Sequence, residues 1–340
     1  MPVKSGSSAD ARVFWKRIVE PVEPFLEQVA HQLEKQVQAF EPEMAIYTRY
    51  VLANQGKQLR PALVILSAGA VGEVTRDLVT VAVIIEMVHL ATLIHDDVVD
   101  EGEMRRQQPT LAANWGNEIS VLLGDCLFAH AVKLAASFPT PDICRAVAAA
   151  TNAVCSGEIL QNQQRGNFHL SRAEYFKILG MKTAELFALS CDLGAGLGGT
   201  KGVKRSALRQ YGLALGTAYQ LYDDCLDLFG TEASAGKTLG TDLANHKLTL
   251  PVLLALERAT ESDQSQIRGL LQSATPNALI SLLEWLDKYD ALTESRRVVQ
   301  QFLGTAQQCL KALPDTSGRT ALHQLTCFLA QQTDALGVSS

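Results

Sequence analysis

Six aspartates constrain this chain more than any other residues. Asp96-Asp97-x-x-Asp100 closes one long apolar run, and Asp223-Asp224-x-x-Asp227 closes another much later in the sequence. In helical conformation the first and last Asp of each triplet share a face one turn apart, and the middle one points about a quarter-turn away. Carboxylates crowded among apolar residues repel one another unless cations compensate them. All-oxygen ligands at this spacing suit a hard ion such as Mg²⁺, which takes one or two carboxylates and keeps water and substrate phosphate in its other positions. A single DDxxD reads as readily as a solvated acidic turn. Two copies, each preceded by apolar helix and followed by basic residues, point to two facing acidic helices that hold a diphosphate through Mg²⁺.

The remaining composition narrows the class. The chain has 340 residues and no internal linker or short repeat, so residues 10–336 are expected to form a single all-α domain after a disordered N-terminus at 1–9. Hydrophobic residues make up 47% and aromatics only 6%, which favours helical packing over a sandwich or barrel. A net charge of -6 with no basic arm argues against nucleic-acid binding. Seven scattered cysteines without CxxC or a Cys/His cluster indicate neither zinc nor disulfides and fit a reducing cytoplasm. The start of the chain lacks an apolar signal core. Glu86 and His89 interrupt the most membrane-like run, 78–94, which therefore reads as a buried helix, with no transmembrane segment expected.

Other polar groups fall at suggestive places. Helical spacing over 12–39 breaks at Pro21 and Pro24. Gly56-Lys57-Gln58-Leu59-Arg60-Pro61 precedes an apolar helix at 62–69, where a Lys and an Arg three apart at a helix start make a phosphate clamp or merely a basic turn. Within the helix 77–100, His89 sits two turns before Asp96; it could reach a ligand there, or be a satisfied core histidine. Arg105 and Arg106 follow the first motif and serve local salt bridges or a second phosphate. Residues 118–136 read as another buried helix, and 142–163 as a helix rich in small residues (Ala146, Ala148, Ala149, Ala150, Ala153) with Glu158 and Gln161 at its polar end. Ser171 with Glu174 forms a capping box for a helix running to 184. A Gly-rich loop at 194–202 precedes the helix 206–229, which carries Gln220 and the second motif. Lys182, Lys237 and Lys247 add cations near it, and 252–336 returns to amphipathic helix.

Carboxylate triplets for Mg²⁺, a set of cations and an apolar helical wall suit the ionisation of a diphosphate ester with a greasy organic part. At this point the chain resembles the trans-prenyltransferases, or polyprenyl diphosphate synthases. The motifs Gly56-Lys57-x-x-Arg60-Pro61, His89 with Asp96-Asp97-x-x-Asp100 and Arg105-Arg106, Gly124-Asp125, Gly157-Glu158-x-x-Gln161, Lys182-Thr183, Gln220 with Asp223-Asp224-x-x-Asp227, Gly236-Lys237 and Lys247-x-Thr249-Leu250-Pro251 occur in the family order. The resemblance implies an all-α isoprenoid synthase bundle around a central cavity, usually a homodimer, with about three Mg²⁺ per active site. It implies that Asp96, Asp100 and Asp223 ligate Mg²⁺, with Asp97, Asp224 and Asp227 in support. Lys57, Arg60, His89 and Arg106 would bind isopentenyl diphosphate; Arg105, Lys182, Thr183, Gln220, Lys237 and Lys247 would face the allylic substrate. Of these, Asp96, Asp100, Asp223, Lys182 and Lys237 would carry the chemistry. Two departures are Gln107, where the family often has Gly, and a C-terminus with Gln331, Gln332 and Asp334 in place of a basic tail.

Product length is a volume question. Thr92 and Ala91, four and five residues before Asp96, are not aromatic, nor are Val88, Met87 and Ile84 beyond them, and the alanine-rich helix could face them. A product of roughly C30 to C45, octaprenyl-like, is expected if the chain grows past these positions. A C20 geranylgeranyl diphosphate synthase is the alternative, and a noncatalytic partner subunit is one of a different class. A class I terpene cyclase needs a second motif that Asp223, Asp224, Asp227 and Thr231 do not match.

Overall fold

The computed structural model describes residues 15–53, 56–231, 239–273 and 276–337. A helical stretch at 15–19 and the 3-10 turn Glu20–Val22 lead into α1 (Glu23–Val37), with a proline in the first turn of each of the latter two. Next come α2 (Ala45–Ala53), α3 (Leu59–Gly69) and α4 (Asp77–Val99). A small antiparallel hairpin of β1 (Met104–Arg105) and β2 (Gln108–Pro109) is followed by α5 (Leu111–Trp115), α6 (Asn117–Ala136) and α7 (Asp142–Gln163). After α8 (Arg172–Leu179) a π-helical turn, Gly180–Ala184, passes directly into α9 (Glu185–Leu197) and then α10 (Val203–Phe229). The chain ends with α11 (Thr241–Ala244), α12 (Leu250–Arg258), α13 (Glu261–Ser273), α14 (Pro276–Lys288), α15 (Ala291–Leu310) and α16 (Ser317–Asp334).

The two Asp-bearing helices are the axes of the bundle. α4 is apolar all round because it is enclosed all round: α1, α3, α6 and α9 pack on it, and Leu78, Val81 and Ile84 are wholly buried. α10 lies between α9 and α15, so α9 touches both acidic helices. That contact is close because α10 presents glycine. A Cβ on Gly212 would stand 2.6 Å from the Phe187 carbonyl oxygen, and one on Gly216 would stand 2.7 Å from Ala184 Cα. Tyr211, on the same helix, is fully buried and donates its hydroxyl to the Leu322 carbonyl at 2.7 Å, tying α10 to α16.

The Ser171–Glu174 capping box forms as its sequence predicts. Three other expectations need correction. The helix starting after Ser171 does not stop at 184 but continues through the π turn to Leu197, so Gly194 is helical; a Cβ there would meet the Val64 carbonyl oxygen at 2.3 Å. Its glycine serves close packing, which in sequence looks like a loop. α6 is not a buried helix, since it packs on α4 by one face and leaves Leu122 61% exposed on the other. Finally, α7 packs mainly on the π turn, α9, α6 and α8, and Ala148 and Ala149 point outward.

Among the described residues, α4, α6 and α7 are long and apolar enough to cross a membrane by length and composition alone. Most of the apolar window of α4 is buried within the bundle; α6 and α7 keep apolar side chains on their outer faces.

Candidate active site

A cavity of about 350 Å³ opens where the start of α3, α4, the second acidic helix α10 and the end of α16 converge. It collects Lys57, Arg60, His89, Arg106 and Asp223, residues scattered over much of the sequence. Arg60 Nη1 lies 3.0 Å from His89 Nε2. A guanidinium only donates, so Nε2 accepts and the ring proton is on Nδ1. Burial, reinforced by Arg60, Arg105 and Arg106, holds His89 well below its ordinary pKa of 6.5, which makes it a neutral group at pH 7.

Glu86 completes this cluster, one turn before His89. It is 3% exposed, burial pushes its pKa up against the pull of Arg60 and Arg106, and its Oε2 has no hydrogen-bond partner in the protein. Arg60 Nε is likewise unpartnered. Such groups are waiting for a polar ligand or water. Glu86 was visible in sequence only as a charge interrupting an apolar run.

The first acidic motif is surrounded by cations. Asp97 receives Arg105 through three contacts of 2.8 to 3.0 Å. Burial still raises its pKa against that attraction. Asp100, at the C-cap of α4, accepts from Lys247 Nζ at 2.8 Å and from Arg165. Burial would raise Asp100, but Lys247, Lys182 and Arg165 bring it below the usual carboxylate range. Glu158 stands near Asp96, and its pKa is driven up by burial and by Asp96 in spite of Lys182. Lys182, in the π turn, bonds Glu158 at 2.7 Å and Gln161 at 2.7 Å. Burial, which would lower the Lys182 pKa, is outweighed by Asp96 and Glu158. Gly157 makes this approach possible, since a Cβ there would stand 2.6 Å from the Lys182 backbone nitrogen. π turns inside α-helices recur at functional sites, and this one carries Lys182 and Thr183.

Among the described residues, Asp224 and Asp227 of the second motif accept from neutral donors. Thr183 donates to Gln220 at 2.8 Å, and Gln220 donates to Asp224 at 2.9 Å. Tyr175 donates to the other Asp224 oxygen. Asp227 is 1% exposed and accepts from the Thr241 amide and hydroxyl and from the Asp242 amide, at the N-terminus of α11. Asp223 alone of the three lines the cavity.

The Arg pair is split by its hairpin. Arg106 and Gln107 have φ of +51° and +63°, the left-handed geometry of a tight two-residue turn, so Arg105 turns to Asp97 while Arg106 reaches the cavity. Gln107 thus occupies a conformation that favours glycine. Tyr50 steadies the hairpin by donating to the Pro109 carbonyl at 2.6 Å. Gly124-Asp125 accommodates His95, whose Nε2 is 3.1 Å from the Val121 carbonyl oxygen.

Ala91 and Met87 are wholly buried and Val88 is 1% exposed; Thr92, half-buried, donates its hydroxyl to the His89 carbonyl. Lys237 lies outside the described residues, as do residues 1–9 and Gly236. Arg165 and Tyr175 are site residues that sequence reasoning missed; Arg165 carries no local signal, whereas Tyr175 stands two turns before Lys182 on the same continuous helix.

The donors fit a hard divalent cation. Asp96, Asp100 and Asp223 offer only oxygen, and Asp96 lies near enough to Glu158 to raise its pKa, so that added positive charge is favourable there. Among the described residues no three His, Cys, Asp or Glu side chains are gathered as a ready-made metal site. An ion that takes one or two carboxylates and completes its shell with diphosphate and water does not require one.

The polyprenyl synthetase family profile matches residues 41–284. A short chain isoprenyl diphosphate synthase of Methanothermobacter thermautotrophicus is 30% identical over 93% of this chain and 98% of its own length. The octaprenyl diphosphate synthase of Escherichia coli is 34% identical, over 83% and 88% respectively. The crystal structure of a Caulobacter crescentus polyprenyl synthase complexed with calcium and isoprenyl diphosphate superposes with a TM-score of 0.89 at 32% identity, covering 97% of this chain and 99% of that one. With its helical bundle and paired acidic motifs, the chain belongs to the polyprenyl synthetase family and is a trans-polyprenyl diphosphate synthase, a prenyltransferase.

Proposed function

We propose that this enzyme condenses isopentenyl diphosphate with an allylic diphosphate to give a product of roughly C30 to C45, octaprenyl-like in length. The observation that carries the assignment of substrates is the segregation of cations. Lys57, Arg60, neutral His89 and Arg106 line one cavity, while Lys182 and Lys247 stand with Arg165 around the first acidic motif. The first set binds isopentenyl diphosphate, with Arg60 oriented by His89. The second set, together with Lys237, takes up the negative charge on the leaving diphosphate as the allylic C–O bond ionises. Arg105 orients Asp97, and Thr183 and Gln220 fix the wall of the allylic site through Asp224. The isopentenyl double bond then attacks C1 of the allylic cation, and the released diphosphate accepts the proton lost from the new chain.

Asp96, Asp100 and Asp223, supported by Asp97, Asp224 and Asp227, would hold Mg²⁺, about three ions per site, which neutralise charge on the departing diphosphate. The apolar side chains of α4 exclude water from the cation. Outward-facing Val121, Leu122 and Val132 on α6, with Ile159 on α7, support a homodimer built on that face. Seven unpaired cysteines support a cytoplasmic location.

Incubation with Mg²⁺, isopentenyl diphosphate and farnesyl diphosphate, followed by chromatographic sizing, tests the reading. A product near C40 supports it, and a stop at C20 overturns the assigned length. Ala91→Phe, or Thr92→Phe at the less enclosed neighbouring position, should shorten the product. An unchanged product distribution in both would show that the growing chain does not pass that part of α4.

A further inference from the structure

The roof of the cavity that holds Arg60 and His89 is aromatic, and it is made by the two ends of the chain. Lys57 Nζ lies 5.7 Å from the centre of the Trp15 ring and 6.0 Å from that of Phe328, both within cation–π range. Trp15 belongs to the N-terminal helical stretch and Phe328 to α16, and their centroids are 5.9 Å apart. Both rings line the cavity, as does Gln332 one turn beyond Phe328. At this mouth Gln332 is a polar neighbour of the rings, and Lys57 is a cation lying over both.

We propose that Trp15 and Phe328 are positioning residues that hold the Lys57 ammonium over the mouth of the cavity and release it to isopentenyl diphosphate on binding. The inference rests on the assignment of that cavity to isopentenyl diphosphate. A lysine side chain is long and flexible, so resting it against two rings removes part of the rotamer freedom it would otherwise lose when it meets phosphate. A partly exposed cation–π contact is weak beside a charge-assisted bond to diphosphate, so the ammonium transfers from rings to ligand. The indole of Trp15 then loses a neighbouring positive charge, giving the event an optical signature.

Phe328→Leu and Trp15→Leu should each raise KM for isopentenyl diphosphate about five- to tenfold, leaving kcat and the allylic KM within about twofold, and Phe328→Tyr should retain the wild-type KM. In a Trp115→Phe/Trp285→Phe background, Trp15 emission should shift when isopentenyl diphosphate is titrated in, and Lys57→Gln should abolish the shift. Equal rises in both KM values, or Trp15 emission indifferent to the ligand, overturn the cage. If Lys57→Gln also leaves the isopentenyl KM unchanged, the assignment of the cavity falls with it; if that variant raises KM while Phe328→Leu does not, the cage alone falls.

Discussion

The two acidic motifs have the same pattern, and the described residues around them differ. Around the first, Asp97 and Asp100 are matched by Arg105, Lys247 and Arg165; around the second, Asp224 and Asp227 are held by Tyr175, Gln220 and Thr241 and by backbone amides. Charge-paired carboxylates can exchange partners with a diphosphate and its metal ions, since the displaced Lys and Arg can turn to phosphate. Carboxylates anchored by neutral hydrogen bonds have no such exchange to make. The salt bridges of Asp97 and Asp100 are therefore expected to rearrange on binding, and the hydrogen bonds of buried Asp227 to persist.

Mutations should break this contrast in order of size. Asp96→Ala or Asp223→Ala should lower kcat by about three orders of magnitude or more with little change in melting temperature, because both motifs contribute to one reaction. Unimpaired turnover in both would refute their assignment to the metal. Away from those positions the motifs should diverge in chemical denaturation. Asp227→Ala removes the buried acceptor of the half-buried Thr241 and Asp242 donors and should cost about 2–3 kcal/mol, whereas Asp97→Ala frees a half-exposed Arg105 and should cost about 1 kcal/mol. Equal costs would remove the distinction between fixed and exchangeable carboxylates.

In the cavity of Arg60 and His89 the contrast becomes a pH dependence. His89 has a folded-state pKa well below its ordinary 6.5, so between those values the unfolded chain binds more protons. Its contribution to stability is therefore complete above about pH 6.5 and is lost as pH falls toward the folded pKa, by at most about 1.4 kcal/mol per pH unit. His89→Gln should flatten this part of the stability profile in acid, measured as melting temperature against pH beside the wild type. The smallest effect belongs to the hairpin. Gln107→Gly should relieve the left-handed strain at φ +63° and stabilise the enzyme by about 0.5–1 kcal/mol, read by denaturant titration.

Much of this arrangement was legible in the sequence because it depends on local spacing. The apolar run of α4, the capping box at Ser171 and both Asp triplets each lie within a few helical turns. The cations around the first motif were harder to place: Arg165 and Lys247 meet Asp100 only because the turn after α7, the segment after α11 and the end of α4 converge in three dimensions. Glu86 had a visible signal, a carboxylate amid apolar residues, but its meaning depends on Arg60 and Arg106 standing beside it. The outer face of α6 was read as buried for the opposite reason, since apolar residues on both sides of a helix do not tell which side meets the core.

The π turn at Gly180–Ala184 has a consequence for how this scaffold tolerates length changes. A π turn contains one residue more than an α turn, which offsets the helical phase by about 100° between α8 and α9. Upstream, that phase directs Tyr175 at Asp224; downstream, it seats Phe187 and Ala188 against Gly212. Deleting any one residue of the turn would leave a regular helix in which only one of these alignments survives. A single-residue deletion there would act as a rotation of α8 against α9, felt on α10 at Asp224 or at Gly212.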